Sequence, residues 1–182
     1  MKKWCLLLAV LLLIISCNQK DSKREEASLE TKIENQGEVV PVNDKVKVYD
    51  YNELEREFFL PTTNKTYVIN FWATWCKPCI EELPAFEKLN ANYKEANVEV
   101  VLVSLDFPEK IENGVIPFME KNNLQSKVVL LDDPDANTWI PKVSPEWSGA
   151  IPATVIIRDG KRYFFERTFT YETLEKEIKT IL

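Results

Sequence analysis

Two cysteines three positions apart close the run Trp75-Cys76-Lys77-Pro78-Cys79. That spacing, at the point where a strand turns into a helix, brings the two sulfurs within reach of a disulfide. Cys76 then stands at the helix start, where free N–H groups and the positive end of the macrodipole favour a thiolate, and Lys77 adds a cation beside it. A depressed pKa is expected for Cys76. Pro78 fits the first helical turn, because its missing N–H would be unpaired there in any case. The chemistry open to such a pair is thiol-disulfide exchange, with Cys76 attacking a substrate disulfide and Cys79, one turn in, resolving the mixed disulfide.

Three other uses of the pair compete. Half of a zinc site needs two further Cys or His ligands, but the chain has no histidine and its two other cysteines are Cys5 and Cys17. A purely structural disulfide and a thiol peroxidase with one reactive cysteine also fit the spacing, although a resolving cysteine so close is a poor match to the second. The absence of histidine excludes every mechanism that uses imidazole as base or ligand. With 23 basic against 29 acidic residues and a net charge of -6, no surplus of cations exists to neutralise a phosphate backbone, so nucleic acid is not an expected partner.

The elements that must position the pair read as alternating strands and helices. Tyr67–Trp72 and Val98–Leu105 are short runs rich in β-branched and aromatic residues, as in strands buried on both faces. Between them Ile80, Leu83, Phe86, Leu89 and Tyr93 recur at spacings of three and four, an amphipathic helix with Pro84 inside it and a kink predicted there. A further helix should include Phe118 and Met119, before a strand at Val128–Leu131. Asp133-Pro134 reads as an N-cap and first helical position opening a short helix through Trp139. Ala153–Ile157 and Arg162–Phe165 flank Asp159-Gly160, a hairpin signal, and Leu174, Ile178 and Ile181 mark one face of a last helix. The segment Pro141–Ala150, with Trp147 and Gly149, either shapes a partner groove or caps the core.

The amino terminus reads as an address. Lys2 and Lys3 precede an uncharged run from Trp4 to Ile15, about 18 Å of helix against a bilayer core of roughly 30 Å. Residues 1–16 therefore read as a signal peptide. Ile14-Ile15-Ser16-Cys17 resembles the lipobox of bacterial lipoproteins, in which the cysteine is acylated and becomes the first residue. An ordinary secretory signal and an uncleaved anchor helix are the alternatives. Removing Lys2 and Lys3 takes the net charge from -6 to -8, so acyl chains rather than charge would hold the protein at a membrane. Residues 17–45 are polar and read as a lipid-anchored flexible tether, with 39–48 equally open to a short edge strand. Residues 46–182 are the domain.

Asn70-Phe71-Trp72-Ala73-Thr74-Trp75-Cys76-Lys77-Pro78-Cys79 resembles the active-site strand and turn of thioredoxins, and Ile151-Pro152-Ala153-Thr154 resembles that family's cis-proline loop. With the anchor and an acid three residues past Cys79, the chain most resembles the membrane-anchored TlpA/ResA-type thiol-disulfide oxidoreductases. The resemblance covers about 46–182. It implies an α/β thioredoxin fold, a single domain with a central mixed β-sheet flanked by helices. It also implies an active-site loop of Trp75, Lys77, Pro78, Ile151 and Pro152, with Pro152 cis. Thioredoxins carry a buried aspartate where this chain has Asn70, which cannot accept a proton. Glu82 then takes the proton-handling role, unless it is a solvated helix residue like Glu81.

The implied function is an extracytoplasmic protein disulfide reductase, serving cytochrome c maturation or envelope thiol repair. Its partners would be protein disulfides and a membrane or periplasmic thiol electron donor. No metal or dissociable cofactor is implied beyond the redox-active Cys76–Cys79 pair, and a monomer is expected. The rival reading is a lipoprotein that uses the same scaffold to bind a peptide or a metal ion without turnover.

Overall fold

The computed structural model describes residues 45–61 and 64–182. The signal segment, Cys17 and the tether up to residue 44 lie outside the described residues.

The first described element is an edge strand, β1 (Lys47–Tyr49), which answers the open question over 39–48 for its last residues. It is followed by α1 (Tyr51–Leu54), extended by a wider turn through Glu55–Phe59. Sequence reading missed this helix, although its signal is present: the Asp50 carboxylate accepts the Glu53 N–H at 2.7 Å, and the Glu53 carboxylate accepts the Asp50 N–H at 3.2 Å. That reciprocal capping box precedes the buried Tyr51, Leu54, Phe58 and Phe59.

Next come β2 (Thr66–Trp72), α2 (Lys77–Tyr93) and β3 (Val98–Ser104), the expected strand, helix and strand. α2 continues through Pro84 to Tyr93, so the proline does not end it. Short turns at 108–115 lead into α3 (Ile116–Lys121), then β4 (Lys127–Leu131), α4 (Ala136–Val143), the hairpin β5 (Ala153–Arg158) and β6 (Lys161–Phe165), and α5 (Tyr171–Ile181). The hairpin turn has both central residues at positive φ, Asp159 at 49° and Gly160 at 73°, the conformation an Asp-Gly turn is chosen for.

One expectation at α4 is corrected. Asp133 does not cap it; the helix begins at Ala136 and runs past Trp139 to Val143, with Pro141 inside. The Asp133 carboxylate is occupied instead by the N–H of Tyr51 at 3.1 Å and that of Asp135 at 3.0 Å. A remote partner, invisible to local pattern, takes the group that would have capped the helix.

The strands form one mixed sheet in the order β1-β4-β3-β2-β5-β6. β1, β4, β3 and β2 run parallel, while β5 is antiparallel to β2 and β6 to β5. This is the thioredoxin-type arrangement. Strand alternation sends β2 side chains to opposite faces. Val68 and Trp72 meet α2 and α5 through Leu83, Phe86, Leu174 and Ile178, whereas Tyr67, Ile69 and Phe71 meet α1 and α4 through Tyr51, Phe58 and Trp139. Asn70 shares the period of Val68 and Trp72, which aims it at α2.

Candidate active site

The site lies past the C-terminal end of β2, where Ala73–Trp75 turns the chain into α2. Cys76 is the N-cap of α2, with extended backbone at φ -89° and ψ 97°, and its sulfur accepts the N–H of Cys79 at 3.3 Å. Two effects that favour a thiolate therefore converge on one atom: a direct N–H donor and the positive end of a helix of 17 residues. Cys76 and Cys79 are joined as a disulfide with Cα atoms 5.3 Å apart.

Cys76 is more enclosed than a helix start suggests. It is 5% exposed, against 0% for Cys79, because the loop before β5 closes over it: the Ile151 carbonyl oxygen lies 3.8 Å from the Cys76 sulfur. The Ile151–Pro152 peptide bond is cis. Around this small opening Trp75 is 68% exposed, and Pro78 and Lys77 are also exposed. The Lys77 ammonium stands 3.8 Å from the Glu81 carboxylate in solvent, so the charge it lends the thiol is screened by water and by that acid.

Asp106 was not legible as a site residue. It is buried and ties the loop after β3 to the turn before Cys76. Its carboxylate accepts the Thr74 N–H at 2.9 Å, the Thr74 hydroxyl at 2.6 Å and the Ser104 hydroxyl at 2.8 Å. The only local signal is Ser104-Leu105-Asp106 at a strand end, and its partner Thr74 is 32 residues away.

Glu82 lies on the buried face of α2 with Cys79, Leu83 and Phe86 and is 3% exposed; Glu81 beside it is exposed. One carboxylate oxygen accepts the Asn70 amide N–H at 2.8 Å and the other the backbone N–H of Phe169 at 2.8 Å. Burial raises its pKa from 4.5 to about 7, more than those two donors lower it. A cleft of about 280 Å³, bordered by Pro78, Glu81, Arg167, Phe169 and Thr173, leads to Glu82 from solvent. A buried carboxyl that titrates near neutrality, one helical turn from a cysteine pair, is equipped to exchange protons with it.

Within Pro141–Ala150, Trp147 caps the core, while Ser148, Gly149 and Ala150 beside the cis-proline loop are exposed. The Trp147 ring packs 4.7 Å from Phe71, 5.5 Å from Trp139 and 5.9 Å from Phe164, and its N–H donates to the Ala150 carbonyl at 2.7 Å. With 6% exposure the ring is unavailable to a partner. Gly149, at φ 91°, supplies the reversal between this anchor and the cis-proline loop.

A larger depression of about 790 Å³ lies at the other ends of β2 and β3, lined by Lys65, Val98, Glu99 and Lys127, among others, and holds no cysteine. Among the described residues no group of three or more His, Cys, Asp or Glu side chains could hold a metal ion, and no helix is long and apolar enough to cross a membrane.

A thioredoxin-type sheet that presents a vicinal dithiol from a helix start, beside a cis-proline loop, defines a class of dithiol proteins. Comparison with known proteins agrees with that class. Residues 43–162 match the AhpC/TSA family, and the chain belongs to that thioredoxin-like family. It is 50% identical over 52 residues to the thiol-disulfide oxidoreductase ResA of Oceanobacillus iheyensis, a stretch covering 29% of this chain and 27% of that protein. To ResA of Geobacillus kaustophilus it is 31% identical over 119 residues, covering 64% of this chain and 63% of the relative. The matched stretches are thus less than two thirds of either relative. Among solved structures, the thioredoxin-related protein from Neisseria meningitidis serogroup B superposes with a TM-score of 0.56 at 23% identity, over 65% of this chain and 86% of that one, a likeness of fold.

Proposed function

We propose that the protein is a thiol-disulfide oxidoreductase that reduces protein disulfides outside the cytoplasm, held to a membrane through lipid on Cys17. The observation that carries this reading is the Cys76–Cys79 pair at the start of α2, with the buried Glu82 one turn beyond it. The similarity to ResA-type oxidoreductases supports it.

In the proposed reaction, the Cys76 thiolate attacks one sulfur of a substrate disulfide. A Cys76–substrate bond forms, the substrate S–S bond breaks, and the departing thiolate takes a proton. Cys79 then loses its proton and attacks the Cys76 sulfur, which forms the Cys76–Cys79 disulfide and releases the second substrate thiol. Two electrons pass to the substrate, and an external thiol donor must return them. Glu82 takes the Cys79 proton, and its titration near neutrality lets it both accept and release one. The small opening over Cys76 favours an extended polypeptide that can lie along the exposed Trp75 and the half-buried Ile151. Cytochrome c maturation or envelope thiol repair are the pathways such a reductase would serve.

Insulin reduction with dithiothreitol as electron donor tests this. The wild-type domain should accelerate precipitation of the insulin chains and Cys76→Ser should not. No acceleration over the dithiothreitol blank by the wild type would overturn the reading.

A further inference from the structure

The two oxygens of Glu82 are held unequally. One faces the backbone N–H of Phe169, which can only donate, and the other faces the side-chain nitrogen of Asn70, 2.8 Å from each. That nitrogen also lies 3.1 Å from the Thr154 hydroxyl, on the strand paired residue for residue with β2. The Asn70 oxygen is buried without a hydrogen-bond partner, and both Asn70 and Thr154 are 0% exposed. An arrangement of donors around both oxygens suits a carboxylate. A carboxylic acid brings a hydrogen of its own, which then needs an acceptor.

We propose that Asn70 is a positioning residue whose side-chain amide turns over with the proton on Glu82, its nitrogen facing the carboxylate and its oxygen facing the carboxylic acid. This deepens the role given to Glu82 above and rests on it. The Phe169 N–H is fixed in the backbone, so only the Asn70 side can change. Rotation about the last side-chain bond exchanges NH2 and oxygen with almost no change of shape, and the oxygen that comes into place is the one now unpartnered. The Thr154 hydroxyl follows by switching from acceptor to donor, since it can be either. Two hydrogen bonds to the amide survive in both poses, and one end of the amide is unpaired in both.

Glu82 is therefore never left with a buried unmatched group as the proton comes and goes. An aspartate at position 70 would lack the nitrogen and would add a second charge next to the first. The charged groups near Glu82 do not replace this switch. Cys79 on the same helix is in the disulfide, and Glu81 and Arg167 border the cleft. Arg167 is engaged with Glu177 at 3.1 Å and stacked 4.2 Å from the Phe169 ring. β2 and β5 contribute only the neutral Asn70 and Thr154.

Neutron diffraction distinguishes nitrogen, oxygen and deuterium directly, and oxidised crystals at pH 5 and pH 9 test the proposal. The expected result is the Asn70 nitrogen toward Glu82 at pH 9, and a deuteron on Glu82 facing the Asn70 oxygen at pH 5. A deuterated Glu82 at pH 5 with the amide unturned would overturn this inference alone. Glu82 ionised at both values would overturn the proton-carrying role as well. Glu82→Gln supplies a second arm at a single pH. Its oxygen must accept from Phe169, so its NH2 faces Asn70, and the amide should be turned at pH 9; the wild-type pose in that variant would contradict the proposal.

Discussion

At the residue scale, Glu82 carries the most testable chemistry. Its pKa is raised from 4.5 to about 7 by burial. The native state therefore binds the proton more tightly than the unfolded chain, and stability is fully present below about pH 4.5 and falls as pH rises through about 7. The loss is about 3 kcal/mol. Urea midpoints of the oxidised domain should accordingly fall between pH 5 and 8, and Glu82→Gln should remove most of that slope. In exchange assays Glu82→Gln should slow the reaction by roughly 10 to 100-fold and shift its pH profile, while Glu81→Gln, at an exposed position, leaves both unchanged. Equal effects of the two substitutions would return Glu82 to the status of an ordinary acid. The candidacy of Glu82 was legible from its spacing to Cys79, and its burial was not: helical period alone cannot say that the 166–169 segment closes over it to supply the Phe169 N–H. Asp106 was illegible for a related reason, since two of its three donors come from Thr74 in the distant turn after β2 and the third from Ser104 at the end of β3. Asp106→Ala should leave those donors short of a partner, costing about 2 kcal/mol or more in urea denaturation, and should slow exchange by loosening the turn before Cys76.

At the scale of elements, the strands around the cysteines follow from sequence because their runs are short and rich in β-branched and aromatic residues. The hairpin at Asp159-Gly160 and the helix through Leu83, Phe86 and Leu89 have signals within a few residues. The true start of α4 depends on a contact across the fold, since Asp133 serves Tyr51 rather than the helix it precedes, whereas α1 carries a local signal in the Asp50–Glu53 capping box. Trp147 shows the same limit: a tryptophan near a functional loop suits either a groove or a core, and only its packing on Phe71, Trp139 and Phe164 decides. Trp147→Ala should cost about 3–5 kcal/mol, read from urea midpoints. Trp147→Phe, which keeps most of the packing and loses the bond to Ala150, should cost less. A Trp147→Ala domain of unchanged stability would contradict the core-cap assignment.

At the scale of the whole molecule, the mixed sheet places the cysteine turn, the cis-proline loop and the Asp106 loop at one end of β2, β3 and β5, so residues from three separate stretches share one opening. The proposed anchor adds a location to that chemistry. Intact-mass measurement of the membrane fraction should show a mature chain beginning at an acylated Cys17, and a mature terminus downstream of it would remove the lipid anchor from the account. The central claim remains the exchange reaction at Cys76. Its most direct measurement is single-turnover reduction of a peptide disulfide by the reduced domain, with the adduct mapped by mass spectrometry. The account predicts that Cys76→Ser is inert and that Cys79→Ser traps the peptide on Cys76. Peptide trapped on Cys79 in the Cys76→Ser variant, at the wild-type rate, would contradict it.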